Sequence, residues 1–246
     1  MTVEERSKWH LLLEASVGAV SSALLEESWL SAPSGSHLPT LLASTLGALP
    51  DDHPALLSAY ATAATTLATT TKTIPSDQPA RAHSFAAARS IGQGGMQHSE
   101  GSGRRNACLG LVGQVAPMAV VCLCDTEEVS DAKSDPKVEA FKLVLVAFNL
   151  AEESQKSAVL ELFVPVLAQL TEPSTPSHLT QLATATIMSM ATNPLFKAQL
   201  ALLPDAMKLS VGAALKANAS GGGKTGGGGF KAAPKAMKKI NFSKFG

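Results

Sequence analysis

Leu179-Thr180-Gln181-Leu182-Ala183-Thr184-Ala185-Thr186-Ile187-Met188-Ser189-Met190 sets Leu179, Leu182, Ala183, Thr186, Ile187 and Met190 on one side of a helix. Recurrence at i, i+3, i+4 and i+7 is the period of a helix with one buried face. The same pattern runs upstream through Val159, Phe163, Val166, Leu167 and Leu170, and before that through Val138, Phe141, Leu145 and Phe148. Each stripe belongs to a helix of about 10–20 residues, and a hairpin of two such helices cannot bury both stripes. Neighbouring helices must therefore stack, which predicts an all-α, ARM/HEAT-like antiparallel helical repeat array. The expected core is Phe141, Leu145, Phe148, Phe163, Val166, Leu167, Leu170, Leu182, Ile187, Met190, Phe196 and Leu200.

Working outward, Val138–Asn149 has its start marked by Asp135 as a cap and Pro136 at the first position. Glu152–Leu170 follows, with a bend expected at Pro165. The Leu179 helix starts at Pro176 or Ser177 and ends at Asn193-Pro194. Leu195–Leu203 and Asp205–Ala217 complete the array. Upstream, Ala107–Leu123 is apolar with Gly110, Gly113 and Pro117 inside it, and reads as a kinked, buried helix. Towards the N-terminus, Ser7–Trp29, Leu38–Leu49 and Leu56–Thr71 read as helices. The last is weakened by its threonines, whose branched side chains lower helix propensity.

Residues 73–106 differ. They are rich in Ser, Gly, Gln, Ala and Arg, and Ile91-Gly92-Gln93-Gly94-Gly95 has no period. This stretch reads as a flexible linker in which a short helix fits around Ala80–Ser90. The expected organisation is N-terminal helical hairpins over 7–72, a linker over 73–106, a helical array over 107–218, and a Gly-rich, basic, disordered tail over 219–246.

Composition narrows the function classes. Charged residues make up 16% of the 246 residues, under the usual quarter, and the formal net charge is zero. Global charge therefore points to neither nucleic acid nor membrane. The distribution is uneven. Asp125–Glu172 holds ten acidic residues and four lysines, and eight lysines but no acid follow Asp205. Three cysteines, Cys108, Cys122 and Cys124, are too few for a disulfide framework and fit a reducing compartment. No apolar run of about 18 residues escapes both charge and Pro, so no transmembrane segment is expected. The N-terminus does not resemble a signal peptide.

Chemistry-bearing motifs are weak. Gly222-Gly223-Lys224-Thr225 lacks the first glycine of a phosphate loop, because Asn218 stands there, and neither a strand nor a helix frames it. The six histidines show no ligand spacing with Cys122 and Cys124, so buried thiols are expected rather than a metal site. Glu127, Glu128, Glu152 and Glu153 fit helix starts or a loop better than acid–base work. No catalytic residue, cofactor or metal is expected. The best local binding feature is the tail, where Lys235, Lys238, Lys239 and Lys244 flank Ile240, Phe242 and Phe245. Such a segment suits an acidic groove, a sheet edge or anionic lipid, and it equally suits a solvated tail.

Three pieces carry a family resemblance. They are Leu160-Glu161-Leu162-Phe163-Val164-Pro165-Val166-Leu167, the pair Asn193-Pro194-Leu195-Phe196-Lys197 and Leu203-Pro204-Asp205-Ala206-Met207-Lys208, and the ending Met237-Lys238-Lys239-Ile240-Asn241-Phe242-Ser243-Lys244-Phe245. From Cys108 onward the chain resembles the C-terminus of the large HEAT-repeat trafficking adaptors. That family includes animal HEAT repeat-containing protein five and plant Sweetie, and its members are much longer. The resemblance implies a non-enzymatic scaffold that binds protein partners in vesicle-mediated transport between endosome and Golgi. It implies clathrin-adaptor components as partners, a cytoplasmic location and peripheral association with Golgi or endosome membranes. Nucleic acid is not an expected partner. Nuclear-transport scaffolding and an uncharacterised all-helical enzyme stay open as alternatives.

Overall fold

The structure is a computed structural model that describes residues 2–26, 37–74, 79–125 and 135–221, the side chains of 79 and 218–221 apart. These residues hold ten α-helices: α1 (Val3–Leu24), α2 (Leu38–Ala48), α3 (Leu56–Thr73), α4 (Pro79–Gly95), α5 (Gly103–Cys124), α6 (Pro136–Leu150), α7 (Glu153–Gln169), α8 (Ser177–Met190), α9 (Pro194–Leu202) and α10 (Asp205–Gly221).

Helices start where the sequence supplies a cap. Thr2 and Glu5 form a reciprocal capping box on α1. The Asp135 side chain accepts from the Lys137 amide ahead of Pro136, and Asn193 accepts from Leu195 and Phe196 ahead of α9. The threonines of α3 do not break it. Thr66, Thr70 and Thr71 donate back to the carbonyls of Thr62, Thr66 and Leu67 at 2.9, 2.7 and 2.8 Å, so their hydroxyls are satisfied inside the core.

The helices fall into two units, Met1–Val166 and Leu167–Gly246. In the first, α1 packs on α3 and α3 on α5, while α2 packs on α4 and α4 on α6. Contacts between chain neighbours, α4 with α5 and α5 with α6 among them, join the odd row to the even row. This is stacked helix-on-helix packing of the solenoid kind. Within α6, Phe141 meets Phe163 of α7 edge-to-face, with ring centroids 5.4 Å apart. His53 ties α1 to the start of α3. Its Nδ1 accepts from the Ala55 amide at 3.0 Å, which leaves Nε2 to donate to the His10 carbonyl at 3.3 Å. In the second unit α8 packs on α10, and the Ser210 hydroxyl donates to the Thr171 carbonyl at 3.5 Å.

One expectation needs correcting. Residues 73–106, read as a flexible linker, contain α4 and the start of α5, and α4 sits between α2, α5 and α6. Phe85 and Ala88 are fully buried. The glycines that suggested disorder are there for close approach. A Cβ on Gly92 would lie 2.6 Å from Val146 Cγ1 and 2.8 Å from Val112 Cγ2. A Cβ on Gly95 would lie 2.5 Å from the Cys108 Cβ. Small residues take the place of a large apolar stripe, which is why periodicity does not show this helix.

Of the expected core, Phe141, Phe163, Val166, Leu167, Leu170, Ile187, Met190 and Phe196 are buried. Leu145, Phe148, Leu182 and Leu200 are half-buried. Alanine is the better helix former, yet Gly92→Ala and Gly95→Ala should each destabilise by about 1–3 kcal/mol through overpacking. Gly94→Ala, whose new methyl meets nothing within 4 Å, should stabilise by about 0.5 kcal/mol. Urea denaturation of the three variants beside the parent checks both signs.

Candidate functional site

Beyond its first turn α5 is apolar on most of its surface, with Gln114 as its one polar side chain. Its inner side, with Leu111, Val112, Val115, Ala119 and Cys122, is buried against α3, α4 and α6. Its outer side carries Asn106, Leu109, Gly110, Gly113, Pro117 and Val120, again at helical spacing, and Gly110, Gly113 and Pro117 are exposed. Row stacking would seat α7 against this outer side. Instead a groove of about 620 Å³ separates the two helices, floored by Val144, Ala147 and Ala151 at the end of α6. Val159 and Leu162 of α7 form the far wall, and Leu162 is 58% exposed.

Three polar side chains line this groove: Asn106, Glu152 and Gln155. Glu152 is the single charge, and its carboxylate has no ion-pair partner among the described residues. Pro117 has no amide hydrogen, so the i→i−4 bond to the Gly113 carbonyl is missing. That carbonyl lies on the face that carries Pro117. The expectation of a buried α5 therefore holds for one side only. The sequence signal for the other side was present in the spacing 106, 109, 110, 113, 117, 120.

By length and composition α5 could also cross a membrane, and it is the one such helix among the described residues. Here 44% of its most apolar 18-residue window is buried inside the fold, so it serves as a core helix with one apolar face left open.

A second, polar pocket of about 290 Å³ is lined by Tyr60, Ser90, Gln97, His98, Arg104 and Cys108, among others. These residue types recur in acid–base sites, but their geometry is that of a fastening. The buried Arg104 guanidinium donates through Nε to Asp51 and through Nη2 to the Leu49 carbonyl. Its Nη1 donates to the Leu46 carbonyl at 3.4 Å and to the Tyr60 hydroxyl at 3.3 Å. Leu46 and Leu49 are at the C-terminal end of α2, where carbonyls lack intrahelical partners and a cation is favoured. Arg104 thus caps α2 from α5, with its donors directed at the fold. Burial pushes the Tyr60 hydroxyl and the Cys108 thiol up, so both hold their protons at neutral pH. Burial likewise pushes Cys122 up to about 11, whereas Cys124 is exposed. These are not activated nucleophiles.

Among the described residues no group of three or more His, Cys, Asp or Glu is placed to hold a metal ion. Gly92, Gly94 and Gly95 belong to α4, and Glu153 opens α7. Gly222–Thr225 and the tail residues Lys235, Lys238, Lys239, Ile240, Phe242, Lys244 and Phe245 lie outside the described residues, as do Glu127 and Glu128. Taken together, the described residues form an all-helical scaffold with an open apolar groove. In comparisons with known proteins, no family model, no curated protein and no solved structure matches the chain.

Arg104→Lys keeps the charge and loses the fork, and should cost about 2 kcal/mol in chemical denaturation. Arg104 holds the Asp51 carboxyl below its ordinary value. A depressed folded-state pKa means that the pair's stabilisation is complete above the ordinary carboxyl range and is lost as pH falls through the lowered value. Asp51→Asn should therefore flatten the acid limb of a plot of melting temperature against pH and leave its slope near neutrality unchanged.

Proposed function

We propose that this chain is a non-enzymatic helical-repeat scaffold of the ARM/HEAT type that binds protein partners on its helical faces. The observation that carries the proposal is the groove between α5 and α7. It is open and apolar, and it interrupts the stack that α1 to α6 build helix on helix. An apolar surface of this kind, rimmed by a few polar groups, is typical of a protein interaction site. The polar pocket does not favour an enzyme, because Arg104 is engaged by α2 and the two buried acids beside it retain their protons.

The process is proposed from the sequence resemblance to the HEAT-repeat trafficking adaptors. On that basis the scaffold works in vesicle-mediated transport at endosome and Golgi membranes, as a cytoplasmic protein held there through clathrin-adaptor components. The basic tail, with Lys238, Lys239, Ile240, Phe242 and Phe245, is a second contact for the same partners.

The test is affinity capture from native extract with the full chain, with residues 1–218 alone, and with Gly113→Leu. That substitution enters open space in the groove, since a Cβ there meets nothing within 4 Å. Clathrin-adaptor subunits should be recovered by the full chain, at reduced yield by 1–218 and by Gly113→Leu. Recovery of nuclear-transport or chromatin proteins instead would overturn the trafficking assignment.

A further inference from the structure

We infer that the groove between α5 and α7 receives an amphipathic helix of a partner protein, apolar along one face and carrying a lysine or arginine that reaches Glu152. This deepens the scaffold reading and rests on it.

Four features of the groove select that occupant. The first is length. The outer face of α5 from Asn106 to Val120 runs for about 21 Å at 1.5 Å per residue, about four helical turns. The second is the backbone. An extended peptide laid against Leu109, Val120, Val159 and Leu162 would bring unpaired amides and carbonyls into apolar surroundings, which is costly. No sheet edge exists among the described residues to pair with them. A helix satisfies its own backbone and presents only side chains.

The third feature is the small size of much of the lining. Gly110 and Gly113 on the α5 wall, Ala147 and Ala151 on the floor and Ala158 on the α7 wall have little or no side chain, so a helix axis can approach closely and seat leucine-sized knobs between them. Pro117 is exposed on the same face, which fits a surface open to an incoming chain. The fourth is charge. Among the described residues the groove's only ionic group is the Glu152 carboxylate, which has no ion-pair partner there, and the Gly113 carbonyl lacks the amide hydrogen that a residue other than proline at 117 would supply. Among the described residues no lysine or arginine lines the groove, so an acidic partner helix finds no cation there to answer it, and a basic one finds Glu152.

The probe is a fluorescein-labelled designed helix of eighteen residues, with leucines at i, i+3, i+4 and i+7 on an alanine–glutamine background and one lysine near an end. Anisotropy titration against the full chain should give saturable binding. Gly113→Leu should weaken it at least tenfold while melting at or above the parent temperature. Ala158→Phe fills the groove from the α7 side and serves as a second variant should Gly113→Leu fail to fold. Replacing the peptide lysine by glutamate should weaken binding several-fold, and Glu152→Lys should restore binding of the glutamate peptide.

Equal binding to parent and groove-filled chains overturns the inference, and so does indifference to the charge swap. Co-sedimentation of the chain with phosphatidylcholine vesicles, lost in Gly113→Leu and unaffected by the peptide, overturns it in favour of a lipid surface. Absence of peptide binding alongside groove-dependent capture of adaptor subunits rejects the helical occupant and leaves the scaffold standing. Absence of both rejects the two together.

Discussion

The approach of α4 to α5 and α6 is the contact on which the rest of the first unit depends. α4 crosses its neighbours at Gly92 and Gly95, where a single methyl would drive into Val146, Val112 or Cys108. Helix axes come that close only where side chains are missing. Because α4 sits there, α2 has a neighbour in its row, α6 has a base to pack on, and the inner side of α5 is sealed. A glycine costs helix stability wherever it stands in a helix interior. Here that local cost is offset by dispersion contact along three helices at once.

Arg104 fastens the same region by other means. It projects from the first turn of α5 and answers two carbonyls at the end of α2, the Tyr60 hydroxyl of α3, and the Asp51 carboxylate between α2 and α3. A buried guanidinium is tolerated only when its donors are matched, and four acceptors here do so. Tyr60 and Cys108 beside it stay protonated because burial disfavours their charged forms. A cluster whose residue types suggest chemistry therefore acts as an interlock that sets the spacing of α2, α3 and α5.

With one side of α5 committed to the core, its other side is what remains for function. A helix apolar on most of its surface normally has both faces covered. In this fold α7 stands off, and the uncovered face becomes a groove with small residues on its floor and one carboxylate at its edge. The surface proposed to bind a partner thus arises from an interruption in the stacking pattern, and among the described residues its lining carries a carboxylate and no cation.

The amino-acid sequence by itself determined the helical class, the positions of nine of the ten described helices, and the cap at Asp135. Those features follow from local rules: a 3.6-residue period, a side-chain oxygen ahead of a helix, and a proline at its first position. It also carried α4 and the outer stripe of α5, but in forms that local rules misread. Ile91-Gly92-Gln93-Gly94-Gly95 looks unstructured because glycine's role as a spacer between helices depends on residues 13 to 54 positions away, from Cys108 beside Gly95 to Val146 beside Gly92. Leu109, Gly110, Gly113 and Val120 look buried because periodicity reports apolarity without reporting what lies opposite. Only the tertiary structure decided that Arg104 would meet α2, and that α7 would leave one face of α5 open. Both outcomes depend on where separate helices come to rest, and no single stretch of chain encodes that.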